Sequence, residues 1–480
     1  MIRTFLAIAA LFLAFSPAVE AADAASPWQA LTRADVEAGY SLLAANHPAA
    51  TPEAGDSAFI AALAAAHAKA LERAASVDSY EGYVATLGEM ANSMGDGHIW
   101  SNPRFLPRTV SWAGLIAARR GSIWVVARAE RPADPALAGS RILECDGLPI
   151  DAVARAALRF RGNVALEPSL TLRGAWLLVD EGNPFLRRPT ACLFDQGGKR
   201  TTVTLDWNPI ARSDLVANHW NRPFGVAGYG LRPSGQGFWI SIQELGPDAQ
   251  AVVDAARART ADLRRAPYVV VDLRGNGGGS DAYGRALAEA IYGPGAVLAA
   301  LGPQDATGGG CDEVFRASPG NIATVSADAE LMRKGGVTVG AEEYGKAVTA
   351  MKAATAAGRR LAGDLSCRRK QAPSSPVGVS LMPGKVFVLT DVACFSSCIQ
   401  TVGFFRALGA TQVGQSTGAD THYSEVHEIV LPSGLATFST LRAIMPDEPR
   451  EIGPYAPRVV WDGDMADTPA LEAWIAGLAR

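Results

Sequence analysis

Two adjacent serines, Ser396 and Ser397, stand between Cys394 and Cys398. Here the apolar run Val386 to Leu389 gives way to Ile399, Val402, Phe405 and Leu408 at helical spacing. A serine at a helix mouth has an ordinary use, accepting a bond from an orphan amide as an N-cap. On a strand-to-helix turn it has a second use, as a nucleophile set beside the positive end of the helix dipole. That use requires a base, oxyanion donors and a group that holds the base. Imidazole is the side chain that titrates near neutrality, and with only six histidines in the chain each can be judged singly. His98, in Gly95-Asp96-Gly97-His98, follows a glycine-flanked turn and precedes the apolar pair Ile99-Trp100. His47, His67, His219 and His427 have no motif context and read as structural.

A second candidate element is YVVVDLRGNGGGSDAYG, a strand-like run followed by Gly275, Gly277, Gly278 and Gly279. Such a loop cradles phosphate with its amides, aims one amide at a developing oxyanion, or simply turns tightly. The dinucleotide fingerprint fails because its sixth position is Ser280, and no Gly-Lys-Ser/Thr follows. No cofactor is therefore expected. Gly414-Gln415-Ser416-Thr417-Gly418 has the spacing of a nucleophile elbow, but polar and then strand-like residues follow it instead of an apolar helix. Ser416 is set aside on that ground.

The elements that must position these groups divide along the 480 residues. Trp28 to about Trp100 is helical in pattern, rich in Ala and Leu. Val110 to about Trp207 alternates as strands, with SIWVVARA and TTVTLDW the clearest. From Gly237 strands and helices alternate, which indicates an α/β core. Residues 304–376 break that rhythm and read as an insertion over the core, and TPALEAWIAGLAR closes the chain as a helix. With 48% apolar and 19% charged residues and a net charge of -4, the chain is globular and lacks the basic footprint of a nucleic-acid binder.

The N-terminus pairs Arg3 with the apolar run Phe5 to Phe15 and the small-residue site Val19-Glu20-Ala21, so residues 1–21 read as a secretory leader. No later segment has the length and apolarity of a membrane span. Export makes disulfides possible, and six cysteines allow them. At least one disulfide is expected, Cys145–Cys192 or Cys311–Cys367, while Cys394 and Cys398 either pair or remain thiols, and the spacing alone does not fix the connectivity. No Cys/His cluster has zinc spacing, and no metal is expected.

VVVDLRGNGGGS, ACFSSC with its helix, ALGATQVGQSTG, MGDGHI and GSRILECDGLPID together resemble the C-terminal processing (tail-specific) serine peptidase family, in its tricorn-core-like branch with a PDZ-like domain. The resemblance implies a crotonase-like α/β peptidase core over 235–480, a helical domain over 28–107 and a PDZ-like β-rich domain over 108–210. It places Ser396 on the nucleophile, with Ser397 the alternative, although Ile399 stands where the family has a glutamate. It implies an oxyanion hole from the amides of Ser397 and of Gly277 or Gly278. The family's downstream lysine is missing, its place being held by Asp420 and Thr421, so His98 becomes the base and His422 its rival. Glu451, or else Glu448, is the implied orienting acid, and Asp272 and Arg274 are implied to buttress the glycine loop. The resulting expectation is a secreted or periplasmic serine endopeptidase acting on polypeptides. The same fold used only to bind peptides, or a serine esterase, are the alternatives.

Overall fold

The computed structural model describes residues 26–216, 225, 227–302, 311–367 and 382–480. The leader expected over 1–21 and His219 lie outside the described residues. No helix among the described residues is long and apolar enough to cross a membrane.

The core is a six-stranded sheet in the order Tyr229–Ser234, Gly237–Ile242, Tyr268–Asp272, Lys385–Thr390, Thr411–Gly414 and Val459–Val460. The first pairing is antiparallel and the rest are parallel. Period-two alternation explains how both faces are buried. Val269, Val271, Val386 and Val388 face the helices Ala249–Ala258, Asp281–Tyr292 and Ser397–Ala407 in one apolar cluster. Tyr268, Val270, Phe387 and Leu389 face the opposite way, onto Leu471 and Ile475 of the closing helix Thr468–Ala479. The Ile399, Val402, Phe405 spacing read from sequence is the buried face of Ser397–Ala407.

A second sheet is built on the long strand Ala436–Ile444, which pairs with Tyr423–Val430, Ser101–Pro103 and Val314–Arg316. The N-terminal helices Pro27–Asn46, Ser57–Ala74 and Tyr80–Asn92 pack on it, burying Leu43, Tyr83 and Leu87 with Phe438 and Leu441. Asp56 and Ser79 cap the second and third of these helices through bonds to Phe59 N and Gly82 N. The segment expected as an insertion over the core is partly woven into this sheet. Its helices Pro319–Lys334 and Thr338–Ala356 sit between strands Val314–Arg316 and Leu361–Ala362, which pair with each other. The cause is apolar: Val314 and Leu361 complete the cluster formed by the N-terminal helices.

Between the helical region and the core, strands Leu115–Arg120, Ile123–Ala129, Arg141–Cys145, Ala191–Gln196 and Lys199–Thr204 form an antiparallel sheet. Cys145 and Cys192 are directly opposite in its register and are disulfide-bonded. Cys311–Cys367 and Cys394–Cys398 are also bonded.

Candidate active site

Ser396 follows the sheet strand and precedes the helix, with φ 55° and ψ -132°. Positive φ is strained for a residue with a Cβ, at about 1–3 kcal/mol, and such strain marks turns that present a side chain. Ser396 holds the N-cap position without making a capping bond. The ordinary use of a serine here is therefore not the one realised. The neighbouring hydroxyl is committed, since Ser397 Oγ donates to Gly279 O at 2.8 Å. The disulfide Cys394–Cys398 spans the turn.

The glycine loop lies against this turn. A Cβ on Gly278 would stand 2.8 Å from Ser396 Cβ and 2.9 Å from Phe395 O, so only glycine fits, and its φ of 112° agrees. Gly278 N donates to Asn276 Oδ1 at 2.9 Å, and Asn276 Nδ2 donates to Ile242 O. Of the two loop amides implied for an oxyanion hole, Gly278's is thus already engaged. Gly277 is exposed, and among the described residues neither its amide nor that of Ser397 has an acceptor. Asp391, fully buried at the end of the strand, accepts from Gly275 N and Ala393 N and so ties the loop to the turn. Burial pushes its carboxyl up to about 7, even though these bonds favour the charged form.

His98 reaches this turn on the segment that leads into the short strand Ser101–Pro103, which pairs with Ala436–Ile444. Ser439 Oγ donates to His98 O at 2.7 Å and accepts from Trp100 N at 2.8 Å, fixing the segment on both sides of Ile99. A Cβ on Gly97 would stand 2.6 Å from the Phe395 ring, and the His98 and Phe395 rings are 4.6 Å apart. The imidazole thus lies against the residue preceding Ser396.

Two carboxylates face His98 Nδ1, Asp420 Oδ1 at 3.1 Å and Asp96 Oδ1 at 3.4 Å. These are ion-pair distances, but neither oxygen lies along the N–H direction, so Nδ1 is buried without an aligned hydrogen bond. Burial alone lowers an imidazole pKa; the close carboxylates of Asp420 and Asp96 outweigh it and hold His98 at about 10. Asp420 is pushed up by burial and by the charge of Asp96, while Asp96 is held below its ordinary range because its bonds to His98 and Thr421 outweigh burial. Asp96 also accepts from His98 N at 2.7 Å, an Asx-type turn that sets the loop. The three ligand atoms lie within 4.8 Å of one another, a spacing that suits a divalent cation as well as a proton.

The implied orienting acid is placed differently. Glu451 is exposed, pairs with Thr421 in a two-residue ladder next to Asp420, and makes no contact with His98. Asp420 and Asp96 occupy that role geometrically. In the sequence Asp420 reads only as the occupant of the lysine position, and Asp96 only as part of the turn before His98, so neither stands out as an orienting acid. Glu448 meets the rival His422 through its backbone, and burial lowers the His422 pKa. His422 lies against Tyr423, at 4.6 Å between ring centres. His47 is buried, stacked on Phe59 and pushed down to about 4 by desolvation, consistent with a structural role. Asp272 and Arg274 form a buried pair beneath the glycine loop, with Arg274 Nε to Asp272 Oδ1 at 2.9 Å. Ser416 is in a loop, its hydroxyl donating to Tyr455 O at 3.3 Å.

The family model of peptidase family S41 matches residues 239–453. Comparison with curated protein sequences finds no match. Among solved structures the chain is similar in fold to mature CPAF, with TM-score 0.60 and 12% identity over 95% of this chain and 98% of that one. A serine-to-alanine mutant of CPAF gives 0.61 at 11% identity, over 95% and 98% of the two chains. Mature CPAF complexed with lactacystin gives 0.58 at 12%, over 95% and 99%. The span matched to the family model runs from the core strand Gly237–Ile242, through the glycine loop and the Ser396 turn, to the ladder beside Asp420, and over that span the chain is similar to peptidase family S41, a match that supports a serine peptidase.

Proposed function

We propose that the chain is an exported endopeptidase in which Ser396 Oγ attacks a peptide carbonyl while His98 takes its proton. The Oγ–C bond forms, the oxyanion is held by the amides of Ser397 and Gly277, and the C–N bond breaks as His98 protonates the leaving amine. Water then hydrolyses the acyl-enzyme with His98 as base again. With Nδ1 turned to Asp420 and Asp96, Nε2 is the nitrogen left for Ser396. The two carboxylates take the part that the sequence assigned to Glu451. One observation carries this reading: Ser396 sits in a strained turn with its hydroxyl uncommitted, and His98 is packed on the residue before it.

In this reading 108–210 is a PDZ-like domain that presents polypeptide to a crotonase-like core over 235–480. Its six-stranded antiparallel sheet and the mostly parallel core sheet support both assignments. A secreted or periplasmic location rests on the leader-like N-terminus and on three disulfides, which persist in oxidising compartments. The test is labelling with a fluorophosphonate followed by peptide mapping. The expected adduct is on Ser396. An adduct on Ser397, or a folded protein that neither labels nor cleaves casein, would overturn the assignment.

A further inference from the structure

A cavity of about 940 Å³ lies between the N-terminal helices and the β-rich domain, away from Ser396, and its size is that of a small-molecule site. Its walls include Tyr80, Phe160, Phe185, Leu148 and Trp176. Several arginines line it, and most are paired. Arg161 and Arg212 share Glu181, Arg188 meets Asp180, and Arg159 meets Glu89.

Arg173 differs from these. Its Nε is buried with no partner, and among the described residues no carboxylate or carbonyl bonds its guanidinium. Gly162 lets it approach, since a Cβ there would stand 3.3 Å from Arg173 Cγ and 2.5 Å from Ser169 Oγ. Burial, with the like charge of Arg161 adding, pushes its pKa down to about 10. A part-buried cation without a counter-charge is costly to keep, and a planar guanidinium is the group best matched to a bidentate oxyanion. Each of those other arginines meets a carboxylate, although Glu181 serves two of them and Glu89 serves Lys69 and Arg73 besides Arg159, so the cavity has fewer acids than cations and Arg173 is left for an oxyanion from outside. About half of the cavity's wall is apolar, contributed by aromatic and aliphatic side chains.

We infer that this cavity is a binding site for a monocarboxylate on an apolar body, with Arg173 holding the carboxylate. Octanoate and an acetylated Leu-Leu peptide with a free C-terminus represent the two sources of that chemistry, a free acid and a chain end. Octanamide and the amidated peptide are their controls. With the full chain, calorimetric titration and thermal unfolding are expected to show at least one acid binding and raising the unfolding temperature, while its amide does neither. Arg173→Met removes an unpaired, part-buried charge, so without ligand it is expected to unfold at an equal or higher temperature. It should bind the acid roughly tenfold more weakly or worse. Which acid binds identifies the source. The inference is overturned if neither acid binds the wild type, if an amide binds as tightly as its acid, or if Arg173→Met binds the acid as tightly as wild type.

Discussion

Two buried ionic groups lie on either side of the glycine loop and are built to opposite plans. In the Asp272–Arg274 pair every polar atom has a partner. The guanidinium bonds both carboxylate oxygens, Met465 O and Thr468 Oγ1, and Asp272 also accepts from Trp239 Nε1 at 3.1 Å. Its charges cancel. The group around His98 has two carboxylates for one imidazole, and Nδ1 has no aligned acceptor. One arrangement is complete and can only hold shape. The other is left over-acidic and imperfectly paired, so that its protonation responds to whatever arrives. Buried charge that serves as scaffold is saturated, whereas buried charge that moves a proton is not.

The sharpest way to break the comparison is to delete the chemistry while keeping the scaffold. Ser396→Ala and His98→Ala are each expected to lower the rate of fluorophosphonate labelling and of casein cleavage by roughly 10⁴-fold or more, because nucleophile and base act as one unit. Thermal unfolding of both variants should stay cooperative. Ser397→Ala loses the bond to Gly279 O but keeps its backbone amide, so a much milder loss is expected. If Ser397→Ala is the dead variant, the turn presents the other hydroxyl. If His422→Ala is dead and His98→Ala labels normally, the base is on the other side of the Asp420 ladder.

The scaffold pair should behave in the reverse manner. Arg274→Met strands the Asp272 charge in the interior, and breaking a buried pair from one side typically costs about 3–5 kcal/mol. Urea unfolding should show that loss, with the folded fraction still labelling at Ser396. Removing both charges together, Asp272→Asn with Arg274→Met, should recover part of it. A single variant within about 1 kcal/mol of wild type would show that the pair does not carry the loop.

How much of this was legible in the sequence follows from the kind of signal each element leaves. The parallel core, the closing helix and the buried face of the Ser396 helix follow from periodicity, which Val269–Val271 and Ile399–Phe405 write plainly. The serine turn and the glycine loop were legible as motifs. The pairing of Ser101–Pro103 with the Ala436–Ile444 strand was not, because three-residue strands have no periodicity to read. That pairing brings His98 to Ser396. The choice between Asp420 and Glu451 as the orienting acid was not legible for a related reason: they occupy adjoining positions in one ladder, and only side-chain direction separates them. The Gly278 amide was an open choice until the Asn276 side chain was seen to occupy it.

The smallest expected effect separates those two acids. A His98 pKa near 10 leaves the imidazole largely protonated at neutral pH, so labelling should rise about tenfold per pH unit and level off only near pH 10. The sign for stability is set by the same shift. The folded pKa lies above the ordinary value of 6.5, so the ion cluster's contribution is fully present below about pH 6.5 and is lost as pH rises through about 10. Asp420→Asn removes the larger of the two carboxylate effects on His98. Its labelling profile should level off at lower pH, and its plateau should fall by roughly 10–100-fold. That is short of the roughly 10⁴-fold cost seen when a sole orienting carboxylate becomes an amide, because Asp96 still faces Nδ1. Thermal unfolding of Asp420→Asn should also lose part of the decline between neutral and alkaline pH. Glu451→Gln, exposed and out of contact, should leave both profiles in place and the rate within about threefold of wild type, since surface changes away from such groups are small. If instead Glu451→Gln moves the inflection while Asp420→Asn does not, Glu451 is the acid that faces His98 during turnover, and the unaligned Asp420 contact belongs to the scaffold.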